Sequence, residues 1–512
     1  MSQPSEPIER PDPAEQDQPS PRALTQAQRQ AVAELVRVAP VVGRLTDRFA
    51  TAGHELALVG GSVRDALLGR LGVDLDFATS ARPEQVQALL DGWAEALWDV
   101  GIAYGTVAAL KDGYRLEITT YRSEAYDPQS RKPAVAYGDT LDGDLHRRDF
   151  TVNAMALTLP EQVFVDPYGG LPDLVAGRLR TPATPEESFS DDPLRMLRAA
   201  RFAAQLGFAV DPEVRSAMTR MADRIAIVSA ERVQGEVVKL VEADRPVAGL
   251  RLLVDTGLAE QVLPELPLLR LEIDEHHRHK DVYEHTLTVL EQSMELEGAP
   301  DGPLSRPDFV LRFAALMHDV GKPKTRAFEP GGGVSFHHHE VVGAKITRRR
   351  MQALRFGNEV TDEVCSLVAL HLRFHGFGEG GWTDSAVRRF VRDAGGQLDR
   401  LLALTRADCT TRNRRRAELL QGQVDELEER IARLRAQEEL DAIRPDLDGA
   451  AIMALLGIPP GPTVGQAYRF LLERRLDRGP VDAATAAAEL LAWWSDRPGS
   501  GGSDGPATAT SS

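Results

Sequence analysis

Cysteine is nearly missing from this chain of 512 residues; Cys365 and Cys409 are the only two. So few thiols, without paired spacing, exclude a disulfide-stapled scaffold and any metal site built from clustered cysteines. Long apolar runs are missing too: nothing near the N-terminus resembles a secretory leader, and no stretch reads as a membrane span. The cytoplasm is the expected compartment. A third absence is excess positive charge. The formal net charge is −17, which argues against a polyanion spread over the whole surface, because phosphate neutralisation needs Lys and Arg. No internal repeat is present, so a solenoid or propeller is not expected.

Charge distribution qualifies that sum. The first 20 residues hold five acidic side chains against Arg10 alone in a Pro-rich stretch, the composition of a disordered leader. Residues 195–251 instead carry ten Arg and Lys side chains, and Arg412-Asn413-Arg414-Arg415-Arg416 forms a second basic run. Each run suits a phosphate backbone or a solvated helix face. A chain this long needs several cores. The expected division is a disordered leader over 1–22, an α/β head over 23–180, a helical neck over 181–250, a further domain over 251–415, a helical region over 416–495 and a low-complexity tail over 496–512.

The most informative stretch is Leu58-Val59-Gly60-Gly61-Ser62-Val63-Arg64-Asp65, followed by Asp74-Leu75-Asp76-Phe77. Two glycines let backbone approach a triphosphate without Cβ bulk. Side chains two apart on a strand share a face, so Asp74 and Asp76 can jointly hold divalent cations while Leu75 and Phe77 enter the core. Oxygen ligands of this kind suit Mg²⁺. Asp-x-Asp alone fits an acidic surface turn better; the Gly-Gly-x-x-Arg-Asp before it reverses the reading to a phosphate cradle beside a metal site.

The coarse pattern predicts an amphipathic helix over 24–53, a buried strand over 55–59, a helix over 65–71, a strand over 74–78 and a helix over 83–95. Strands over 106–111 and 114–121 meet at Asp112-Gly113 as a hairpin, and Glu117 on the second strand is the third candidate carboxylate. Residues 122–145 lack a clear period and read as a long functional loop. Helices dominate from Ser188 onward. The span 417–440 reads as one long exposed helix, and 446–494 as a helical unit broken at Pro459-Pro460-Gly461-Pro462.

Three further motifs follow in order: Gly105-Thr106-Val107, Arg147-Arg148-Asp149-Phe150-Thr151-Val152-Asn153, and Asp191-Asp192-Pro193-Leu194-Arg195 continuing to Arg198 and Arg201. Together with the first two, the series resembles that of class II tRNA nucleotidyltransferases, the CCA-adding enzymes and bacterial poly(A) polymerases. The resemblance covers about 40 to 245, with a family-like HD domain beyond. It implies an α+β chain: a polymerase-β-like head, then an all-α neck, HD domain and helical tail. It also implies tRNA, CTP and ATP as partners. Asp74 and Asp76, with Glu117, would hold Mg²⁺ for in-line attack of the RNA 3′-hydroxyl and release of pyrophosphate. Gly61 and Arg64 resemble triphosphate contacts, Arg148 a nucleotide-binding arginine, and Asp149 a ribose contact.

Asp192 and Arg195 resemble the family's protein template for the base. A carboxylate accepts and a guanidinium donates, which complements the edge of cytosine or adenine. The two are expected three apart on one helix capped by Ser190; Arg198 and Arg201 match further nucleotide contacts. Asp191 stands where the family commonly has Glu. No Arg-rich strand follows the Asp-x-Asp, which favours the tRNA branch over poly(A) polymerase, and the full-length 121–145 span favours complete CCA addition over CC alone.

Downstream, His285, His318-Asp319, His339, His371 and Asp408 look like an HD metal-dependent phosphohydrolase site. His285, His318, Asp319 and Asp408 match the minimal ligand set, and His339 and His371 extend it to two metals, with imidazole and carboxylate suiting a transition-metal ion. His276, His277, His279, His337 and His338 match less well and read as polar surface or RNA-facing residues. Two other functions stand beside tRNA 3′-end synthesis: HD hydrolysis of RNA-end phosphates as the main activity, and non-catalytic RNA binding, which the presence of both Asp74 and Asp76 disfavours.

Overall fold

The computed structural model describes residues 40–101, 105–125, 134–137, 140–270, 282–298, 304–330, 333–374, 382–409, 414–438 and 443–497. They fall into two compact units, Met1–Pro267 and Leu268–Ser512.

The first unit is built on a seven-stranded sheet in the order β3-β4-β5-β2-β1-β8-β9. Its strands are β1 (Leu56–Val59), β2 (Asp74–Thr79), β3 (Ala96–Gly101), β4 (Thr106–Lys111), β5 (Tyr114–Thr120), β8 (Ala156–Leu159) and β9 (Phe164–Val165). Two more, β6 (Arg122–Ala125) and β7 (Ala134–Tyr137), form a separate antiparallel pair. β1 is buried along its whole length, as a central strand should be; Leu58, Leu75, Phe77, Leu116 and Ile118 are at most 1% exposed. Burying each such side chain contributes roughly 1.5–3 kcal/mol. The β4–β5 turn has positive φ at Asp112 and Gly113, the tight turn that Asp-Gly favours between right-twisted strands. Within the seven-stranded sheet β2 and β5 are the one parallel pair of neighbours among the described residues, and they bring Asp76 opposite Glu117 and Asp74 opposite Arg115.

Several expectations need correction. The helix after the double glycine spans Gly61–Leu67, not 65–71, because it starts at the turn itself. The next helix is Pro83–Leu90, and the chain then forms β3 rather than staying helical to 95. Residues 122–145 are not one aperiodic loop: β6, β7 and the helix Leu141–His146 lie within them, the helix capped by Thr140. The described part of the 24–53 helix begins at residue 40; the rest lies outside the described residues.

The neck is helical. A capping box at Thr184 and Glu187 starts the helix Pro185–Asp191, an arrangement worth about 1 kcal/mol. A second helix, Leu194–Leu206, packs against Ala230–Val241 and Pro246–Asp255. The last pair lies so close that a Cβ at Gly249 would stand 2.5 Å from the Ala200 carbonyl oxygen.

The second unit is a helical assembly with the helices Val282–Glu295, Phe309–Met317, His339–Ala353, Asn358–Leu370 and Leu398–Asp408 around one polar cluster. The long helix Arg414–Gln437 is not simply exposed: Val424, Leu427, Ile431 and Leu434, spaced three or four apart, are all buried, the stripe of an amphipathic helix. Residues 449–495 form three helices around Ile452, Ala467, Leu471, Ala486 and Leu490. Described residues include no helix long and apolar enough to cross a membrane.

Candidate functional site

The head site starts at the end of β1. Gly60 has φ 69°, a left-handed conformation that favours glycine, and a Cβ there would lie 2.5 Å from Arg148 Nη1. The turn therefore holds an arginine against bare backbone. Ser62 Oγ accepts from the Asp76 backbone N–H at 2.8 Å, which ties the glycine turn to the carboxylate strand. Asp74 is exposed and Asp76 half-buried, and Glu117 is bridged by Arg115 at 2.9 Å. Burial is the chief reason that the Asp76 carboxyl is pushed up to about 6; Arg148 opposes the rise, and Glu117 and Asp74 add to it. Three carboxylates on one sheet face, one of them reluctant to ionise beside the others, form a donor set that a hard divalent cation fits.

Arginines surround this face. Arg64 is 9% exposed and committed to protein: Nε and Nη2 donate to Asp65 at 2.9 Å each, and Nη1 donates to Asn153 at 2.6 Å. Arg148 Nη2 donates to buried Asp144 at 2.9 Å. Asp149 accepts from Phe150 N–H and Asn153 Nδ2, and from Arg198 Nε at 2.7 Å. Burial works against ionising Asp149, but Arg198 and Asn153 outweigh it and hold the carboxyl well below its usual range. Arg198 and Arg201 both reach Glu236, and burial together with Arg198 pulls Arg201 down to about 10. Arg64, Arg198 and Arg201 all lie 4.2–5.5 Å from the Phe202 ring centre, within cation–π range.

Asp192 and Arg195 do not share a helix face. Ser190 lies inside Pro185–Asp191 rather than capping, and Asp192 sits in an extended conformation at the joint before Pro193 and Leu194–Leu206. Proline imposes this break, because the residue before it is driven out of the helical region. Asp192 accepts from Leu194 N–H at 3.1 Å and from Arg232 Nη2 at 2.6 Å. Arg195 Nη1 donates to Ser188 Oγ at 2.9 Å, and Nη2 to the Arg147 carbonyl at 2.5 Å. Sequence reasoning gave no partner role to Asp144, Asn153, Arg232 or Glu236, although Asn153 closes the Arg147–Asn153 motif and the opposite charges of Arg232 and Glu236 stand four apart on a helical stretch.

In the second unit six side chains converge. His285 Nε2 lies 2.9 Å from Asp408, His318 Nε2 3.3 Å from Asp319, His339 Nε2 3.3 Å from Asp319, and His339 Nε2 3.2 Å from His371 Nε2. They form two groups of potential ligands, His285, His318 and Asp408, and Asp319, His339 and His371. Nδ1 of His318, His339 and His371 lies 2.7–2.9 Å from the carbonyls of Ala315, Phe336 and Val368. A carbonyl only accepts, so each Nδ1 carries the proton and each Nε2 is left as a ligand atom, the outer support that metal-binding histidines commonly have. Gly321 permits the crossing, since a Cβ there would be 2.0 Å from the His339 carbonyl oxygen.

His318 Nε2 is buried and makes no hydrogen bond. Despite burial, Asp319 and Asp408 hold its imidazole up at about 9, while burial and His318 push His371 down to about 3. A cation in this cluster would take over the charge balance that the His318 proton supplies, so the residues fit a metal. Of the weaker candidates, His338 stands at the N-cap position of the His339 helix without a capping side-chain hydrogen bond, 3.7 Å from Glu340; residues 276–279 and 410–413 lie outside the described residues.

A mixed sheet with carboxylates on adjacent strands, followed by an arginine-rich helical neck and a helical His/Asp cluster, defines a nucleotidyltransferase-type head joined to an HD-type unit. Family models agree along the chain: the poly A polymerase head domain matches residues 56–180, the probable RNA and SrmB-binding site of polymerase A matches 207–269, and the HD domain matches 282–413. The chain is 34% identical over 455 residues to the A-adding tRNA nucleotidyltransferase of Deinococcus radiodurans, covering 87% of this chain and 96% of the relative. It is also 34% identical over 444 residues to the CC-adding tRNA nucleotidyltransferase of Thermus thermophilus, covering 85% and 93%. A crystal structure of the Bacillus stearothermophilus CCA-adding enzyme in complex with CTP superposes with a TM-score of 0.62 at 26% identity, covering 88% of this chain and 95% of that one. The chain belongs to the class II tRNA nucleotidyltransferase family, with an HD domain.

Proposed function

We propose that this chain adds the complete 3′-terminal CCA to tRNA, using CTP and ATP and releasing pyrophosphate, in the cytoplasm. The observation that carries this reading is the register of β2 and β5, which sets Asp76 opposite Glu117, with Asp74 on the same strand as Asp76, directly beside the Gly60-Gly61 turn. Asp74, Asp76 and Glu117 would hold Mg²⁺. That ion supplies activation of the 3′-hydroxyl and neutralisation of the triphosphate. Gly60 and Gly61 keep the backbone open to phosphate, Arg148 lies against the turn, and Arg64 aligns it through Asp65 and Asn153. Asp192 accepts from the exocyclic amine of cytosine or adenine, and Arg195 donates to the neighbouring ring acceptor. Arg198 and Arg201 supply positive charge to the nucleotide, and Asp149, which holds Arg198, faces the ribose. In this reading the head covers 23–180, the neck 181–250, the HD domain 251–415 and the C-terminal helical region 416–495.

Two relatives are an A-adding and a CC-adding tRNA nucleotidyltransferase, so the product separates the readings. Incubating the purified chain with tRNA lacking CCA and labelled CTP and ATP should give all three additions. Extension only to CC, or only of tRNA already ending in CC, replaces the proposal by partial addition, and long A tails would make the chain a poly(A) polymerase.

The HD cluster supports a second activity, hydrolysis of phosphoesters with a transition metal. His285, His318 and Asp408 would hold one ion and Asp319, His339 and His371 another. Opening of a 2′,3′-cyclic phosphate to the monoester, or release of phosphate from a 3′-phosphorylated RNA end, dependent on added transition metal, is the expected result; silence with every metal sinks it.

A further inference from the structure

The most exposed large hydrophobic side chain among the described residues is an aromatic one beside the HD cluster: Phe328 is 72% exposed. It lies on a two-residue strand, Ala327–Phe328, that pairs antiparallel with Val334–Ser335 and sets Phe328 opposite Val334. Both sides of this ribbon run into the proposed metal ligands. On one side Asp319 is followed closely by the short helix Lys322–Thr325, and Lys322 Nζ lies 2.9 Å from Asp319 Oδ2. On the other, Phe336 comes next after the strand, and its carbonyl accepts from His339 Nδ1 at 2.9 Å. Two residues of extended chain, about 6.5 Å, separate the level of Phe328 from that of Phe336. The ring therefore stands within a nucleotide's reach of the cluster.

A lone exposed hydrophobic side chain is ordinary; this one is backed by charge. Arg326 and Phe328 are two apart on extended backbone and share a face, with the guanidinium carbon 4.8 Å from the ring centre, inside cation–π range. Arg326 Nε is buried without a hydrogen-bond partner among the described residues. The nearby acids are engaged: Glu329 accepts from Ser335 Oγ at 2.6 Å, and Glu340 lies 3.7 Å from His338. We propose that Arg326 and Phe328 form a stacking seat for the unpaired terminal base of a single-stranded RNA whose 3′-phosphate, open or cyclic, enters the HD cluster. The inference rests on the reading of the His/Asp cluster as a phosphoester site. Every base has a π face, so an aromatic ring backed by arginine takes any of the four. Arg326 and the exposed Lys324 offer positive charge to the phosphates of the chain. The seat demands a base but not a particular one, and an ester without a base gains nothing from it.

The test uses the full chain loaded with transition metal and a short single-stranded oligoribonucleotide ending in 2-aminopurine and a 3′-phosphate. Fluorescence quenching reads stacking, and phosphate release reads hydrolysis. Phe328→Ala is expected to raise both the KM for phosphate release and the Kd from quenching about tenfold, with kcat, Tm and bound metal near their wild-type values; Phe328→Trp should keep both constants. Hydrolysis of glycerol phosphate, which has no base, should be equal in the wild type and Phe328→Ala. Unchanged KM and Kd in Phe328→Ala overturn the inference. An equal loss on glycerol phosphate overturns it too, because the ring would then shape the cluster rather than hold a base. Loss of self-association with the Kd intact overturns it by making Phe328 a contact between protein chains. A wild-type chain that hydrolyses no ester with any metal is a different failure: it removes the phosphoester reading, and the quenching arm then decides the seat alone, in favour if quenching disappears in Phe328→Ala and against if it persists.

Discussion

The two polar centres of this molecule are built in opposite ways. The head site lies on a sheet face, where Asp74 is exposed, Asp76 half-buried and Glu117 40% exposed at its side chain. The HD cluster is enclosed: His318, Asp319 and His371 are at most 1% exposed and His339 5%. Glu117 in the head leans on a solvent-facing partner, Arg115. The imidazoles of His318, His339 and His371 are each anchored on a backbone carbonyl. An open oxygen site leaves room for a cation to be shared with a triphosphate and a hydroxyl, whereas a closed nitrogen-rich site holds its ion by itself. Truncation inside the enclosed HD cluster is therefore expected to cost more stability than truncation of a head carboxylate.

That contrast is most easily broken at the head. Asp74→Ala and Asp76→Ala should each lower nucleotide addition by more than about 100-fold, since loss of an outer-shell partner already costs up to that much, with tRNA affinity and Tm nearly unchanged. Near-normal turnover in either variant would show that the carboxylates do not hold the reactive cation. At the other centre, His318→Ala combined with Asp319→Ala should remove bound transition metal, as read by elemental analysis, and abolish any phosphoesterase activity while CTP addition survives. A folded double variant as inactive in addition as Asp74→Ala would dissolve the distinction between the centres.

Smaller effects sharpen it. Asp149→Asn breaks a buried pair with Arg198, and about 3 kcal/mol of destabilisation at pH 7 is expected. Because the folded carboxyl lies below its ordinary value of 3.8, the native state binds fewer protons than the unfolded chain below that value. The wild-type advantage is therefore full above about pH 5 and shrinks as pH falls through 3.8 and below. Urea unfolding at pH 7 and pH 3 checks this; an equal gap at both pH values removes the charge argument. Finally, Gly321→Ala should cost more than Gly60→Ala. At Gly321 the new Cβ meets a backbone carbonyl at 2.0 Å, whereas at Gly60 it meets the movable end of Arg148 at 2.5 Å. Thermal unfolding should show roughly 1–3 kcal/mol for Gly321→Ala, and for Gly60→Ala about 1 kcal/mol of backbone strain with a raised KM for CTP. A reversed order would mean that the head turn, not the HD crossing, is the rigid one.

Much of the chain was legible as sequence where the signal is local. Asp112-Gly113 marks its hairpin because two consecutive positive φ angles demand such residues. The alternation in Asp74-Leu75-Asp76-Phe77 marks a strand with one polar face. Non-local pairing was less legible. β3 follows a helical-looking run and exists because β4 supplies its hydrogen bonds. β6 and β7 are short and lack strong alternation, so only their mutual pairing reveals them. The long helix 414–437 hid its buried stripe among abundant Glu and Arg. At the neck, the three-residue spacing of Asp192 and Arg195 predicts a shared helix face, whereas Pro193 between them divides two helices.

By itself the sequence determined which residue types are present and in what order: the glycine turn, the alternating carboxylates, the arginine-rich neck and the His/Asp set, together with the hydrophobic periods that make an α+β head precede a helical remainder. These follow from covalent spacing, which fixes the neighbours of a side chain within a strand or a helical turn. Tertiary structure alone decided who meets whom across the chain. Glu117 faces Asp76 because β2 and β5 run parallel in one register. Arg232, not Arg195, grips Asp192 because a separate helix packs beside the proline break. His339 reaches Asp319 because two backbones cross where Gly321 has no side chain. Contacts between residues tens of positions apart depend on packing summed over many weak interactions, and no local spacing encodes them.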